Sequence, residues 1–198
     1  DAGNGNGLLD YNESVLLSVG LKNVGNQPTS DVVATMSTEN MYVSIIDNTE
    51  TYGDFDPEEV IFIEDAFAFS VSADVPDGEA IIFKITAESG ETTWESYFSI
   101  VAHAPKLNFV DFEILGNGKI DPGETTEISV SIDNSGSSDA YEVLAELITS
   151  SQYMTINSDP QSLGTLIPEA SGEVIFSVTA AVNTPAGQMV DFIVDISA

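Results

Sequence analysis

The 198-residue chain has no cysteine and no arginine, and its basic residues are four lysines and one histidine. Without cysteine, disulfides and thiolate metal sites are excluded. Without arginine, the chain lacks the planar donor that binds carboxylate and phosphate groups through two hydrogen bonds. The composition therefore limits any metal site to oxygen and imidazole ligands, although it does not decide the cellular compartment.

Positive charge is scarce, whereas acids number 33 and the formal net charge is −29. Such a surface repels phosphate backbones and anionic lipid headgroups, so we expect no nucleic-acid partner. The longest apolar run, Val60–Ile63, has the length of a strand and falls far short of the roughly 20 residues of a membrane-spanning helix, so we expect no membrane insertion. The sequence begins at Asp1 inside a loop-like motif, and we interpret it as a fragment whose partners include other domains of the same parent chain.

Residues that could support catalysis are equally few. His103 is the only imidazole and lies in the boundary segment between the two halves of the chain, and no Gly-x-Ser-x-Gly motif is present. Pairs of carboxylates for glycoside hydrolysis are possible in so acidic a chain, but the sequence singles out none of them. We therefore predict that the protein is not an enzyme.

What the sequence does contain is a tandem repeat. Glu13 and Glu124 lie 111 positions apart, and 14 of 43 aligned positions are identical over the first part of the two copies. Each copy begins with a loop rich in glycine and asparagine, here termed the first glycine loop (residues 4–13) and the second glycine loop (residues 115–124). An alternating strand and an Asn-x-Gly turn follow each loop.

Short strands with alternating apolar residues fill both copies. The pattern predicts strands at residues 15–22, 32–36, 42–46, 60–63, 66–72, 79–87 and 92–101 in the first copy, and at 107–114, 126–133, 141–149, 153–156, 163–166, 172–181 and 188–196 in the second. No stretch predicts a helix longer than two turns. The fold class is predicted as all-β: two tandem immunoglobulin-like β-sandwich domains, residues 1–103 and 104–198.

The repeat register predicts that each copy lacks one strand. The first copy has no counterpart of residues 107–114, and the second ends before a counterpart of residues 92–101. An unpaired edge of this kind invites pairing with another chain. We also expect an acidic loop at residues 47–59, a turn at Asn23–Pro28 whose glycine can take positive φ, and the loss of two residues from a later loop of the second copy.

The order of parts resembles that of the CARDB-like, immunoglobulin-like modules of secreted bacterial proteins, over nearly all of both copies. In the second copy the residues that carry the resemblance are Gly118, Asp121, Pro122, Gly123, Glu124, Asn134 and Gly136. In the first copy, Tyr11-Asn12 replaces Pro-Gly. The resemblance implies a secreted or cell-surface location and an accessory, spacing or adhesive role beside peptidase, glycosidase or adhesin domains.

The glycine loops are the best candidate metal site. Calcium is the candidate ion, because it prefers carboxylate, amide and backbone oxygens in a loop bent at glycine. The candidate ligands are Asn4, Asn6, Asp10 and Glu13 in the first loop, and Asn117, Asp121 and Glu124 in the second. Their spacing follows that of an EF-hand loop, although each loop has one ligand position, Ala2 or Leu115, without a ligand side chain. The alternative interpretation is that these side chains only shape a turn.

Two other groups of residues have both a functional and a structural interpretation. The acidic segment Asp54–Glu59 is either a cation site or a solvated loop. Trp94, Tyr97 and Phe98 are either a sugar-stacking platform or core and edge packing. The sequence as a whole predicts a non-catalytic accessory, spacer or interaction module, and the alternative is an adhesin-type module that binds a carbohydrate or protein ligand, with or without calcium.

Overall fold

The computed structural model describes residues 6–198 and shows fifteen strands and no helix in that range. The prediction of an all-β fold is confirmed. The chain divides into two compact units, Asp1–His103 and Ala104–Ala198. Over the same described range, no helix is long and apolar enough to cross a membrane.

The described part of unit 1 contains eight strands, which form two sheets. The strands are β1 Leu9–Asp10, β2 Ser14–Lys22, β3 Thr29–Ser37, β4 Val43–Asp47, β5 Thr49–Phe55, β6 Val60–Val71, β7 Ala80–Ser89 and β8 Thr92–His103. One sheet has the order β1-β8-β7-β3-β5 and the other has the order β2-β6-β4. Neighbouring strands are antiparallel except for β1 and β8, which pair in parallel.

Unit 2 repeats this arrangement with seven strands. They are β9 Leu107–Ile114, β10 Thr125–Asn134, β11 Ala140–Ile148, β12 Met154–Ile156, β13 Gln161–Leu166, β14 Ser171–Ala180 and β15 Ile193–Ser197. The sheets have the orders β12-β14-β10-β9 and β13-β11-β15. Strands β10 to β14 therefore take the places of β2 to β6, and β15 takes the place of β7. Strand β15 is shorter than the strand that the sequence predicted at residues 188–196.

Each unit buries its apolar residues between its two sheets. In unit 1, Phe69 of β6 and Phe83 of β7 are fully buried, with ring centroids 4.8 Å apart. In unit 2 the core joins Ile132 of β10, Val143 of β11 and Phe176 of β14, which are at most 1% exposed. Two antiparallel sheets that face each other across such a core form the predicted immunoglobulin-like sandwich.

The predicted acidic loop at residues 47–59 is wrong over half its length, because β5 occupies Thr49–Phe55. Tyr52 and Phe55 are 5% and 3% exposed, so both face the core although they are three residues apart. The ladder between β5 and β3 shifts register beside Gly53, and this irregularity breaks the alternation that identifies a strand in sequence.

Two strands that the sequence predicted separately form the single strand β6, which contains a bulge. Leu17 pairs with Phe67 and Val19 pairs with Ile63, so the residues between, which include Asp65 with a φ of 52°, leave the regular ladder. The equivalent strands β10 and β14 pair without any such shift. The two residues that the second copy lacks are therefore lost from a strand bulge, and the prediction of a shortened loop is wrong.

Each unit has one strand that the other lacks. Strand β10 pairs with both β14 and β9, whereas its counterpart β2 pairs only with β6 among the described residues. Strand β7 pairs with both β3 and β8, whereas its counterpart β15 pairs only with β11 in the part of the chain that is described. The two open edges therefore belong to non-equivalent sheets.

A buried tyrosine joins the two sheets of unit 1. The hydroxyl of Tyr52 donates a 2.9 Å hydrogen bond to the carbonyl oxygen of Val19 on β2. Burial, with a smaller effect from the Glu50 carboxylate, raises the pKa of Tyr52 to about 12. Unit 2 has Leu163 at the aligned position, so this contact belongs to unit 1 alone.

We predict that Tyr52 makes unit 1 sensitive to alkali. Above pH 10 the unfolded chain ionises this tyrosine, whereas the folded unit keeps it neutral until about pH 12, so the stability of unit 1 falls as pH rises through that window.

The change Tyr52→Phe should cost about 1 kcal/mol of stability at neutral pH through the lost hydrogen bond and should reduce the loss of stability at alkaline pH. Urea unfolding followed by fluorescence of Trp94, the only tryptophan, reports unit 1. Tyr97→Phe is the control, and an unchanged alkaline loss in Tyr52→Phe would contradict the prediction.

Candidate functional site

The first glycine loop is closed by its own side chains. Asn6 Oδ1 accepts a 2.7 Å hydrogen bond from the backbone N–H of Leu8, and Asn6 Nδ2 donates to Asp10 Oδ2 at 2.9 Å. Glu13 Oε2 accepts a 2.9 Å hydrogen bond from the backbone N–H of Asp10. The structure thus brings three of the four predicted ligands together, and the fourth, Asn4, lies outside the described residues.

Strand pairing explains why the acids of this loop are buried although much of the loop is exposed. Leu9 and Asp10 form β1, which pairs with Ala102 and His103 at the end of β8. As a result, Asp10 and Glu13 are each only 5% exposed. Two acids with so little exposure require hydrogen-bond partners, because burying an unpaired charge is costly. The carboxylate of Glu13 meets this need by accepting a backbone N–H within the loop.

The second glycine loop contains the same turn in a more open setting. Glu124 Oε2 accepts a 2.7 Å hydrogen bond from the backbone N–H of Asp121, as Glu13 does from Asp10. Both carboxylate oxygens of Asp121 lie 2.9 Å from Lys119 Nζ, and Asn117 Oδ1 accepts the backbone N–H of Lys119 at 3.0 Å. Lys119, which the sequence did not single out, therefore already neutralises the Asp121 carboxylate that a bound ion would otherwise neutralise.

The two loops keep one shape despite different residues at the Pro-Gly position. Asn12 has a φ of 55° and the aligned Gly123 has a φ of 79°. Asparagine is one of the few residues with a side chain that enters this left-handed region readily, because its amide bonds locally to the backbone. The departure of the first copy from the Pro-Gly pattern therefore preserves the turn.

The geometry of the two loops agrees with the alternative interpretation, in which these side chains shape a turn. In each described loop the predicted ligands accept hydrogen bonds from the loop itself, which is how Asn, Asp and Glu side chains stabilise a turn. Over residues 6–198, no group of three or more His, Asp or Glu side chains is placed to hold a metal ion. An ion at the second loop would have to displace the ammonium group of Lys119 from Asp121. Calcium binding stays a prediction.

The asparagine of the second Asn-x-Gly turn is a structural centre that the sequence did not identify. Asn134 is fully buried, and its Nδ2 donates to the carbonyl oxygens of Ser138 and Leu166 at 2.8 and 2.9 Å. Its Oδ1 accepts the backbone N–H groups of Lys106 and Gly136, both at 3.0 Å. One amide thus joins the segment before β9, the turn after β10 and the end of β13. The signal in the sequence was the repetition of the Asn-x-Gly pattern.

The glycines of these turns have a different role from the one predicted. The turn at Asn23–Pro28 lies between β2 and β3 as predicted, but neither Gly25 nor Gly136 uses the positive φ that glycine can take. At Gly136 the requirement is space: an added Cβ would lie 2.3 Å from the carbonyl oxygen of Ala104 and 2.5 Å from the backbone nitrogen of Lys106. Glycine is needed there because another backbone segment passes against it.

The acidic segment Asp54–Glu59 lies partly in β5 and partly in the turn after it. Asp54 Oδ1 accepts the backbone N–H of Asp31 at 2.9 Å, and Glu59 Oε2 accepts that of Asp56 at 2.7 Å. Glu58 forms a 2.6 Å ion pair with Lys22. An open cleft of about 490 Å³ lies beside this segment. The carboxylates named here each bind a group of the protein, which agrees with the structural interpretation of the segment.

The histidine and the aromatic residues lie on a strand. His103 is the last residue of β8 and of unit 1, and its carbonyl oxygen accepts the backbone N–H of Tyr11 at 2.9 Å, so it lies at the predicted boundary but in a strand. On β8, Trp94 and Phe98 share one face and Tyr97 lies on the other, because side chains alternate along a strand. Phe98 stacks on Phe83 at a centroid distance of 5.2 Å. The three aromatic side chains therefore do not form one platform.

No protein-family model and no curated protein sequence matches the chain. Among solved structures it is similar to the secreted serine protease VesC from Vibrio cholerae, with 12% identity, a TM-score of 0.32 and coverage of 96% of this chain and 48% of the protease. It is also similar to the YadV chaperone, with 11% identity, a TM-score of 0.32 and coverage of 92% and 84%. The red sea bream transglutaminase gives 12% identity, a TM-score of 0.34 and coverage of 97% and 28%. The chain spans about half the length of VesC. Likenesses this distant assign no function, and the resemblance to CARDB-like modules stays a prediction.

The two loops predict a difference in stability between matched variants. Glu13→Ala should destabilise unit 1 by about 1–3 kcal/mol, because a buried backbone N–H loses its acceptor. Glu124→Ala should cost unit 2 less, about 0.5–1.5 kcal/mol, because water can replace the acceptor in the more exposed loop. Glu13→Gln, which keeps an acceptor oxygen, should recover most of the loss.

Calorimetry resolves the two units, and Trp94 fluorescence assigns the transition of unit 1. Equal losses for the two alanine variants would show that burial of the first loop does not strengthen its hydrogen bonds.

Proposed function

We propose that the chain is a non-catalytic accessory module of a secreted or cell-surface bacterial protein, in which two immunoglobulin-like sandwiches space and bind other domains or partner proteins. The observation that carries this proposal is the use of the buried polar residues in the turns. Asn134, Asp10 and Glu13 are buried and take part in hydrogen bonds that hold turns and strands together. Buried polar residues that stabilise the fold in this way support an architectural role for the chain.

The distribution of charge supports the same role. The chain carries a formal charge of −29, which keeps a protein soluble and suppresses non-specific association. Strand β2, however, contains no acid between Ser14 and Lys22 and carries the half-exposed Leu16, whose side chain is 53% accessible. An acid-free apolar edge on an otherwise strongly acidic chain is suited to a specific contact through a strand.

The second candidate is an adhesin-type module that binds a carbohydrate or protein ligand. Its support is the exposure of aromatic side chains on unit 1: Trp94 is 46% exposed and Phe62 is 62% exposed. Exposed aromatic faces are suited to stacking against sugar rings or to anchoring a protein ligand. Trp94 is the residue on which this candidate is most directly tested.

One set of assays separates these functions. We expect the purified chain to leave peptide, glycoside and ester substrates unchanged by mass spectrometry and to bind no glycan on an array. Turnover of any substrate would overturn the non-catalytic proposal. Glycan binding that Trp94→Ala abolishes, while Phe109→Ala on unit 2 leaves it intact, would replace the spacer role with the adhesin role.

Calcium at the two glycine loops has its own test. A bound ion stabilises the folded state in proportion to the logarithm of its concentration above Kd, so a calcium-binding loop should raise the unfolding midpoint in 5 mM calcium, on the order of a few degrees, relative to EDTA. Asp121→Asn and Asp10→Asn should each remove the rise in their own unit only. Identical midpoints in calcium and EDTA would refute the calcium prediction.

A further inference from the structure

The repeat shows what a covering strand does, because one copy has it and the other lacks it among the described residues. Val130 on β10 is 1% exposed, whereas Val19 at the aligned position of β2 is half-buried. The two flanking positions show the same difference in burial. Ile128 is more buried than the aligned Leu17, and Ile132 is more buried than the aligned Leu21. In unit 2, the inward row of β10 is paired with Ile114, Phe112 and Phe109 of β9.

The Asn-x-Gly turn of unit 1 retains the feature that holds the segment before β9 in unit 2. Asn23 Nδ2 donates to the carbonyl oxygens of Gln27 and Asp56, and its Oδ1 accepts the backbone N–H of Gly25 at 2.9 Å. The aligned Asn134 accepts one bond more, from the backbone of Lys106. An amide oxygen has two lone pairs, so Asn23 can accept the equivalent bond from an added segment.

The turn also retains the space that the added segment needs. A Cβ on Gly136 would meet the backbone of residues 104–106 at 2.3–2.7 Å, so glycine there serves the passage of that segment. Gly25 occupies the same position in unit 1, and among residues 6–198 the side chain of Asn23 is the one group within 4 Å of an added Cβ. No described residue fills the gap beside Gly25 at the point where residues 104–106 fill it in unit 2.

Charge favours the same strand at β2. On the outer face of unit 2, the acids Glu113 and Asp111 of β9 lie opposite Ser129 and Ser131. The aligned positions of β2 are the uncharged Ser18 and Gly20, and the next position outward is Lys22, where β10 has an acid, Asp133. A strand with two acids therefore meets no acid in this row of β2, where Lys22 is already paired with Glu58, whereas the same row of β10 ends in Asp133.

We propose that the open edge of β2 is an acceptor site for an added antiparallel strand, and that the occupant is the leading strand of another copy of this repeat, with the chemistry of residues 104–114. The residues that pair with the inward row of β2 would correspond to Phe109, Phe112 and Ile114, and the backbone before the strand would pass Gly25 and donate to Asn23. This addition continues the sheet as β9 continues that of unit 2. The inference names the partner of the proposed interaction module and rests on that proposal.

The experiment uses the full chain and a capped synthetic peptide with the sequence of residues 104–114, Ala-Pro-Lys-Leu-Asn-Phe-Val-Asp-Phe-Glu-Ile. Binding is measured by calorimetric titration, and the stability of unit 1 is measured by Trp94 fluorescence during heating. We expect saturable one-to-one binding. At free peptide of about five times its Kd, the midpoint of unit 1 should rise by about 4–8 °C, because the ligand binds only the folded unit.

Two matched changes locate the site. Gly25→Val on the protein places a side chain in the path of the added segment and should weaken binding at least about tenfold, since steric exclusion of this kind removes the backbone contact altogether. Because an added Cβ at Gly25 would lie 3.1 Å from Asn23 Oδ1, the peptide-free midpoint of this variant is measured first, and binding is compared at a temperature well below it. In the peptide, Phe112→Asp should abolish binding, whereas Val110→Thr should preserve it, because Val110 lies at the bulge of β9 and has no partner in the register with β10.

The same samples identify the source of the strand and separate this inference from the proposed function. In the chain, β9 is paired with β10, so another copy can donate this strand only by exchanging it out of its own unit. Concentration-dependent association of the chain that the peptide inhibits would support that exchange. Absence of peptide binding, binding that Gly25→Val leaves unchanged, or association that the peptide does not affect would overturn the acceptor site. None of those results bears on substrate turnover or glycan binding, which test the accessory role separately.

Discussion

Every inward-facing apolar row in these sandwiches needs cover from two directions, the opposite sheet and the neighbouring strand. Phe83 on β7 is fully buried between β3 and β8, whereas the aligned Phe192 of unit 2, with no strand in the place of β8 among the described residues, is half-buried. An apolar cleft of about 250 Å³ lies beside Phe192. Buried apolar area contributes roughly 25 cal/mol per Å², so each open edge leaves part of the stabilisation available to another strand.

Polar residues meet the complementary requirement, because a buried donor or acceptor without a partner costs about as much as a lost hydrogen bond. Asn134 satisfies this condition with four hydrogen bonds, and Glu13 with one to the backbone of its own loop. None of the buried side-chain polar atoms in the described residues is left without a partner. The residues that most resemble a ligand site are thus the ones that fix the turns.

Divergence between the two copies shows which features the sandwich requires. Left-handed backbone is retained at Asn12 and Gly123 although the residues differ, because the turn depends on the conformation. The bulge in β6 and the hydroxyl of Tyr52 exist in unit 1 alone, and unit 2 keeps the sheet with a regular ladder and Leu163. The core positions are therefore constrained more strongly than the details of strand regularity.

The sequence by itself determined the all-β class, the repeat and most strands, because alternation of apolar residues follows directly from the geometry of a strand with one buried face. It did not reveal β5 or the continuity of β6, since register shifts beside Gly53 and around Asp65 break that alternation. The roles of Asn134 and Gly136 depend on residues 104–106, which lie about 30 positions away in the chain. Only the tertiary structure decided those contacts, and with them which strand edges stay open, because local pattern carries no information about the backbone that folds back against it.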